Sequence, residues 1–334
     1  MTHAHPADPT APTGPTQPSH SAAPPVLAEV VRSGFVESRH RGSLVALAAD
    51  GSTLLALGDP DAPCYPRSTN KPLQASAMLR VGLQLPEPQL AIAAASHAGE
   101  EVHLAAVRRL LDAHGLREEQ LGNPPDLPLD PEEQRRWTAA GRGPARIAMN
   151  CSGKHAAMLA TCRLCDWPLE TYRSPDHPLQ QRVRQELAEL CGEPVAHTGV
   201  DGCGAPLMAV SLTGLARAFQ RLVTAPPDSP PRRVADAMRA HPVLVAGTRR
   251  IDTWLMEGVP GALAKVGAEA VQAVALPDGR ALAFSIEDGA ARAVGPVLAR
   301  ALALLGVTAP VLERIAHAPV LGGGAPVGEV RAAF

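Results

Sequence analysis

Arg67-Ser68-Thr69-Asn70-Lys71-Pro72 places a serine and a lysine three residues apart, a spacing that matters chemically if the segment opens a helix. Ser68 is a residue type favoured at a helix N-cap. Pro72 then falls in the first turn, where backbone N–H groups have no intrahelical partner and proline costs little. The pattern predicts a helix over 69–81, ended by Gly82. Ser68 and Lys71 would share one face of its first turn. A serine hydroxyl is a weak nucleophile and needs a base. A lysine serves only if its pKa falls well below ~10.4, through burial or a second cation. The positive end of a helix favours both changes. Taken alone, so short a motif equally describes a capping serine and a solvent-facing lysine.

Other segments add to it. Ala93-Ala-Ala-Ser-His-Ala-Gly-Glu100 ends an apolar run in a polar cluster, which suits delivery of Ser96 and His97 into a cleft. Lys265 stands inside the apolar run Ala262-Leu-Ala-Lys-Val-Gly267, and a lysine there is costly unless it is paired or at an edge. Serine beta-lactamases and penicillin-binding proteins combine Ser-x-x-Lys, a second serine motif and a Lys-Thr-Gly strand. The order is the same here, with Val266 in place of the threonine.

A second constellation pairs Asn150-Cys-Ser-Gly-Lys-His155 with Val200-Asp-Gly-Cys-Gly-Ala-Pro206. Cys151 and Cys203 sit in glycine-rich turns beside polar partners and could supply soft metal ligands, zinc being the favoured ion. A lysine such as Lys154 ligates only as the neutral amine. Two buried thiols, or an anion-binding turn at a helix N-terminus, fit the same residues. Cys162-Arg-Leu-Cys165 is a lone Cys-x-x-Cys inside a helical pattern and reads as structural. His241, His317 and the three histidines of the N-terminal segment receive no role.

These residues need a scaffold. Strands are expected at 26–31, 43–48 and 53–57, with Asp50-Gly51 as a hairpin turn. Three more are expected at 261–266, 271–276 and 281–286, followed by a helix over 289–305. Between lie helical patterns at 101–114, 155–166, 178–190, 206–223, 231–240 and 248–257. Strands at both ends with helices between predict an α+β sandwich, one sheet assembled from both termini and covered by helical layers. Residues 1–25 are Pro- and Ser-rich with almost no large apolar side chain and are expected to be a disordered tail ahead of a domain at 26–334.

The composition, 46% hydrophobic and 19% charged with a formal net charge of -2, excludes a disordered chain and offers no basic stripe for nucleic acid. No run approaches the ~20 apolar residues of a membrane span, and the N-terminus lacks a secretory pattern, so a cytoplasmic protein is expected. Six cysteines in 334 residues do not form a disulfide scaffold.

As a set, the five motifs around Ser68, Ser96, Cys151, Cys203 and Lys265 resemble the rhizobial-type L-asparaginases, the L-asparaginase II family, over about 26–324. The resemblance implies a beta-lactamase/glutaminase-like fold, a homodimer, and hydrolysis of L-asparagine to L-aspartate and ammonia. It implies two Ser-Lys pairs, Ser68 with Lys71 and Ser96 with Lys265. It also implies zinc at Cys151, Lys154 and Cys203, and makes Arg67, His97, Ser152, His155, Asp201 and Gly204 candidates for holding the substrate. A glutaminase on the same scaffold differs by one methylene, worth only ~1–3 kcal/mol of discrimination. A non-catalytic ligand-binding protein of this fold would bind metal without turnover.

Overall fold

The computed structural model describes residues 23–334; the expected tail lies outside the described residues but for its last three positions. Strands β1 (Val26–Arg32) and β2 (Phe35–Leu47) are joined through Ser33 and Gly34, both at positive φ. That is the geometry of a tight hairpin whose twist matches its strands. The first half of β2 pairs with β1, and its second half lies between β3 (Thr53–Leu57) and a C-terminal strand. The Asp50-Gly51 turn forms as expected, with the Asp50 carboxylate accepting the Ser52 N–H at 2.9 Å.

After the short β4 (Pro63–Cys64) come α1 (Lys71–Arg80), α2 (Glu87–Ala93), α3 (Glu101–Ala113), α4 (Pro131–Ala139), α5 (Ser152–Leu164) and α6 (Pro178–Cys191). Strands β5 (His197–Val200) and β6 (Pro206–Ser211) form a hairpin, and β6 also pairs with β4 in a small three-stranded sheet. Helices α7 (Leu212–Thr224), α8 (Pro230–Ala240), α9 (Pro242–Val245) and α10 (Ile251–Gly258) follow. The chain then returns to the main sheet with β7 (Leu263–Val266), β8 (Val271–Ala275) and β9 (Ala281–Ile286), crosses it as α11 (Val294–Leu304) and α12 (Val311–Ala316), and ends in β10 (Pro319–Gly322) and β11 (Ala325–Ala332).

The main sheet runs β10-β11-β1-β2-β9-β8-β7, with β3 beside β2 and every pairing antiparallel. It is the expected α+β sandwich, assembled from both termini. Helix α7 packs on β2, β8 and β9, and α11 on β1, β8 and β11. Strand β8 is buried along its whole length, as a strand covered on both faces must be. Among the described residues no helix is long and apolar enough to cross a membrane.

Three expectations change. The 206–223 helix starts only at Leu212, because Ser211 caps it by accepting the Gly214 N–H at 2.8 Å. The preceding six residues are a fully buried strand. A strand covered on both faces has no alternation to reveal it, so its apolar run reads like a buried helix. Ser68 does not cap α1. It lies within a 3-10 turn, Arg67–Asn70, closed by Thr69 Oγ donating to Pro66 O at 2.6 Å, and α1 begins at Lys71. Strands β10 and β11 were not anticipated; their segment holds three consecutive glycines and little alternation.

Helix α1 is buried from Lys71 to Leu79 on every side, wedged among α2, α5, α6 and α8. Its neighbours α2 and α5 touch closely: a Cβ on Gly153 would stand 2.3 Å from the Ile92 carbonyl oxygen. Glycine there lets the first turn of α5 meet the last turn of α2. The loop after α2 then hydrogen-bonds the loop before α5, with the His97 N–H donating to Asn150 O at 3.0 Å. Gly153→Ala must push two backbones apart and should cost about 1–3 kcal/mol, as overpacking does. A fall of several degrees in Tm is expected by calorimetry, and an unchanged Tm would show that the two turns can separate freely.

Candidate active site

Ser68, in the 3-10 turn, and Ser96, in the loop after α2, line one cavity of about 370 Å³. The Met149-Asn150-Cys151 segment, the 201–203 turn of the β5–β6 hairpin and the Val266-Gly267-Ala268 segment at the end of β7 also line it. Gly267 makes this closure possible, because a Cβ there would lie 2.8 Å from Pro66 O and 3.2 Å from the Ser68 backbone nitrogen. Three non-glycine residues at the cavity hold left-handed backbone: Arg67 (φ 50), Glu269 (φ 56) and Ala270 (φ 52). Such strain persists only where surrounding structure enforces it, and it concentrates at functional sites.

Two lysines near this cavity are buried. Lys71 Nζ donates to Ala95 O at 2.6 Å and to Ser96 Oγ at 2.9 Å. Burial pushes its pKa down to about 8, opposed by Cys151 and assisted by the Lys154 charge. Lys265 Nζ donates to Val266 O at 2.7 Å and lies 3.9 Å from Asp252 Oδ2. Burial pushes it down to about 7 against the pull of that carboxylate. The lysine hydrogen bond to a serine is therefore Lys71 to Ser96, across the two pairs expected from sequence. Helix α1 carries Lys71 inward to the end of α2, while Ser68 stays on the 3-10 turn before it.

Cys151, at the N-terminus of α5, and Cys203, in the β5–β6 turn, come together as expected, and His155 joins them. Their Sγ, Sγ and imidazole nitrogen atoms lie within 4.8 Å of one another, all buried, a group able to hold a metal ion. His155 Nδ1 bonds the Tyr172 hydroxyl at 2.6 Å, while its buried Nε2 has no hydrogen-bond partner. Two sulfurs and an orphaned imidazole nitrogen form a donor set of the kind zinc accepts. Lys154 Nζ donates to Cys203 Sγ at 3.0 Å. Hydrogen bonding from Cys151 pulls Cys203 far below the ordinary thiol range despite its burial, and Lys154 adds to the effect. Cys151, bonded to that sulfur and desolvated, is raised. Burial alone would depress Lys154, but the sulfurs of Cys203 and Cys151 outweigh it and raise its pKa.

The candidate substrate contacts divide. Arg67 and Asp201 line the cavity but are bonded to each other, Nε to Oδ1 at 3.1 Å, and Arg67 also reaches Glu269 at 3.4 Å. His97 and Ser152 are fully buried and do not line it. Ser152 Oγ donates to Ile147 O, so it accepts from His97 Nε2 at 2.9 Å, and the pair fastens two loops. Burial holds His97 well below the usual imidazole pKa, helped by the stacked His103 and by Lys71. Gly204 shapes the turn at φ 81, its N–H donating to Asp201 O, and does not line the cavity. His155 belongs with the sulfurs. Sequence reading missed Arg250, Glu269 and Asp252. The last had a signal, since a lysine in an apolar strand demands a buried acid.

Two serines on one cavity, backed by lysines shifted toward the neutral amine, are equipment for attacking an amide. The chain belongs to the L-asparaginase II family, whose model matches residues 28–332. No curated protein matches it. Among solved structures it is similar to Mglu in its glutamate form, at 17% identity and a TM-score of 0.42, over 79% of this chain and 61% of Mglu. A beta-lactamase from Mycobacterium bovis aligns at 17% identity and a TM-score of 0.45, over 79% of this chain and 94% of its own. The chain thus spans 61% of the length of Mglu, and neither alignment bears on the substrate.

Both lysine shifts are downward, so the neutral amine gains population as pH rises through about 7 and about 8 and is lost as pH falls. kcat/KM for amide hydrolysis should climb across that interval, and Lys71→Arg, whose guanidinium cannot deprotonate, should abolish the activity. A pH–rate profile already level at about pH 6 would remove both amines as bases.

Proposed function

We propose that this protein hydrolyses the side-chain amide of L-asparagine to L-aspartate and ammonia, with Ser68 as nucleophile. The observation that carries the reading is the meeting of Ser68 and Ser96 on one cavity, with the buried Lys71 bonded to Ser96, in a member of the L-asparaginase II family. Ser68 Oγ attacks the amide carbon while neutral Lys71 takes its proton. The tetrahedral oxyanion rests on backbone N–H groups, that of Ser68 included. Collapse breaks the C–N bond, and the Lys71–Ser96 hydrogen bond offers the path by which the proton reaches the departing nitrogen as ammonia. Water then attacks the ester on Ser68, gives up a proton along the same relay, and releases aspartate. Lys265 keeps positive potential or a proton acceptor at the back of the site.

The Lys71–Ser96 bond supports a second reading in which Ser96 attacks. Ser68→Ala should lower kcat at least ~100-fold in a folded protein, as should Lys265→Met to a lesser degree, because each removes part of the nucleophilic machinery. Full turnover by Ser68→Ala, with loss in Ser96→Ala, would transfer the role to Ser96. Parallel ammonia assays with L-asparagine and L-glutamine separate an asparaginase from a glutaminase, which the cavity's size alone does not.

Zinc is proposed at Cys151, Lys154 and Cys203, with the orphaned His155 Nε2 beside them. When bound it supplies a positive anchor for a polar substrate group, and thiolate ligands weaken it as a Lewis acid. Lys154 must lose its proton to ligate, so binding releases protons and weakens as pH falls. The resemblance to rhizobial-type asparaginases further supports a cytoplasmic homodimer. Elemental analysis should find about one zinc per chain, and chelation should raise KM while sparing kcat. Metal-free protein whose KM ignores both chelator and Cys203→Ser would reduce these residues to buried thiols.

A further inference from the structure

Four charged residues line the cavity that holds Ser68 and Ser96: Arg67, Asp201, Arg250 and Glu269. Two are cations and two are anions, yet the pairing is lopsided. Arg67 is bonded to both carboxylates, to Asp201 at 3.1 Å and to Glu269 at 3.4 Å. Arg250 is half-buried where α10 begins, and among the described residues its guanidinium has no hydrogen bond or ion pair. A half-desolvated guanidinium with five donors and no acceptor is costly to leave unmatched. It is also close enough to the serine–lysine machinery that its charge helps lower the pKa of Lys265.

Asparagine brings three polar groups into such a cavity: an amide, an ammonium and a carboxylate. The amide must face the serines. The ammonium finds acceptors in Asp201 and Glu269, whose oxygens are only partly consumed by Arg67. The carboxylate needs a cation, and Arg67 is already committed. Lys71 and Lys265 are fully buried behind the serines, their protons given to Ser96 and to main-chain carbonyls. Arg250 remains.

We propose that Arg250 is the specificity-determining residue that binds the α-carboxylate of the substrate, restricting the enzyme to free α-amino acids with a side-chain amide. The assignment rests on the asparaginase reading above and deepens it. A guanidinium meets a carboxylate with two parallel N–H···O bonds, which fixes orientation as well as affinity. With the carboxylate clamped at Arg250, the amide carbon has one placement relative to the serines. A substrate lacking the carboxylate keeps the reacting amide and loses only the clamp.

The test compares ammonia release from L-asparagine and from β-alaninamide, which is asparagine without its α-carboxylate, in wild type, Arg250→Met and Arg250→Lys. Wild type should favour asparagine strongly. Arg250→Met should raise KM for asparagine roughly 10- to 100-fold, the scale of a lost charge-assisted interaction, with kcat/KM for β-alaninamide changed less than about threefold. Arg250→Lys should restore part of the asparagine preference. An unmoved KM for asparagine in folded Arg250→Met, or an equal loss on both substrates, overturns the assignment, the latter because it marks a residue that shapes the pocket without reading the carboxylate. Calorimetric titration separates this from the parent reading. L-aspartate should bind wild type tighter than β-alanine, and Arg250→Met should erase the difference, whichever amide proves to be the substrate. Wild type that releases no ammonia from asparagine but shows that binding difference would sink the asparaginase reading and leave Arg250 as a carboxylate site.

Discussion

Desolvation of two lysine amines is the constraint around which the site is arranged. Lys71 and Lys265 have essentially no exposed surface, and an ammonium ion in that position is expensive unless it is paired or gives up its proton. Each is supplied with acceptors that suit a neutral amine nearly as well as a charged one: Ala95 O and Ser96 Oγ for Lys71, Val266 O for Lys265. Of the two, among the described residues, Lys265 alone has a carboxylate within 4 Å, and at 3.9 Å from Asp252 the pairing is loose. Asp252 is itself occupied by the Val266 N–H and the Gln272 amide. The acid therefore holds strand and helix together and leaves the amine only partly compensated.

Meeting that constraint requires backbone segments far apart in the sequence to approach more closely than side chains normally permit. Gly153 lets α5 touch the end of α2, and Gly267 lets the end of β7 reach the 3-10 turn of Ser68. Gly289 does the same beside Glu269, where a Cβ would stand 2.4 Å from the carboxylate. The left-handed residues Arg67, Glu269 and Ala270 lie on the same rim. Close approach thus serves the place where two sheets and the buried helix α1 converge, as it also serves the main sheet at Gly42 and Gly328. Strain in the rim is carried by the rigidity of the surrounding core, which is built largely from Ala, Leu and Val with few aromatics.

Sequence revealed the scaffold and the membership of the site better than its internal wiring. Strands β1, β7, β8 and β9 were legible because each is a short apolar run between turn residues. The sheet built from both termini followed from their order. Strand β6 was not legible, since a strand buried on both faces loses its alternation. Ser68, Ser96, Cys151 and Cys203, singled out by motif order, line one cavity, but which lysine bonds which serine depends on a 3-10 turn that no periodicity announces. His97, Ser152 and Gly204 were legible as polar or turn residues near the chemistry. Their work in holding loops appears only when burial and partners are known. Arg250 carried no motif at all, and only the pairing of every other cavity charge sets it apart.

The three buried lysines show how far neighbours, rather than burial, decide what a lysine does. Lys71, Lys154 and Lys265 are equally withdrawn from water, and desolvation is the largest influence on each. Lys154 nevertheless ends above the ordinary range, because Cys203 Sγ sits 3.0 Å from its nitrogen with thiolate character. Lys71 meets a hydroxyl and a carbonyl, and Lys265 a carbonyl with an acid at one remove, so both fall. The same sulfurs act on Lys71 at longer range and pull it back upward, while the Lys154 charge pushes it down. The sulfur cluster and the serine–lysine cluster therefore share one electrostatic balance. Any change in charge at Cys151 and Cys203, by protonation or by a bound cation, reaches the Lys71 amine beside Ser96 without moving an atom of it. Buried lysines that share this balance thus end on opposite sides of the ordinary range, Lys154 above it and Lys71 and Lys265 below.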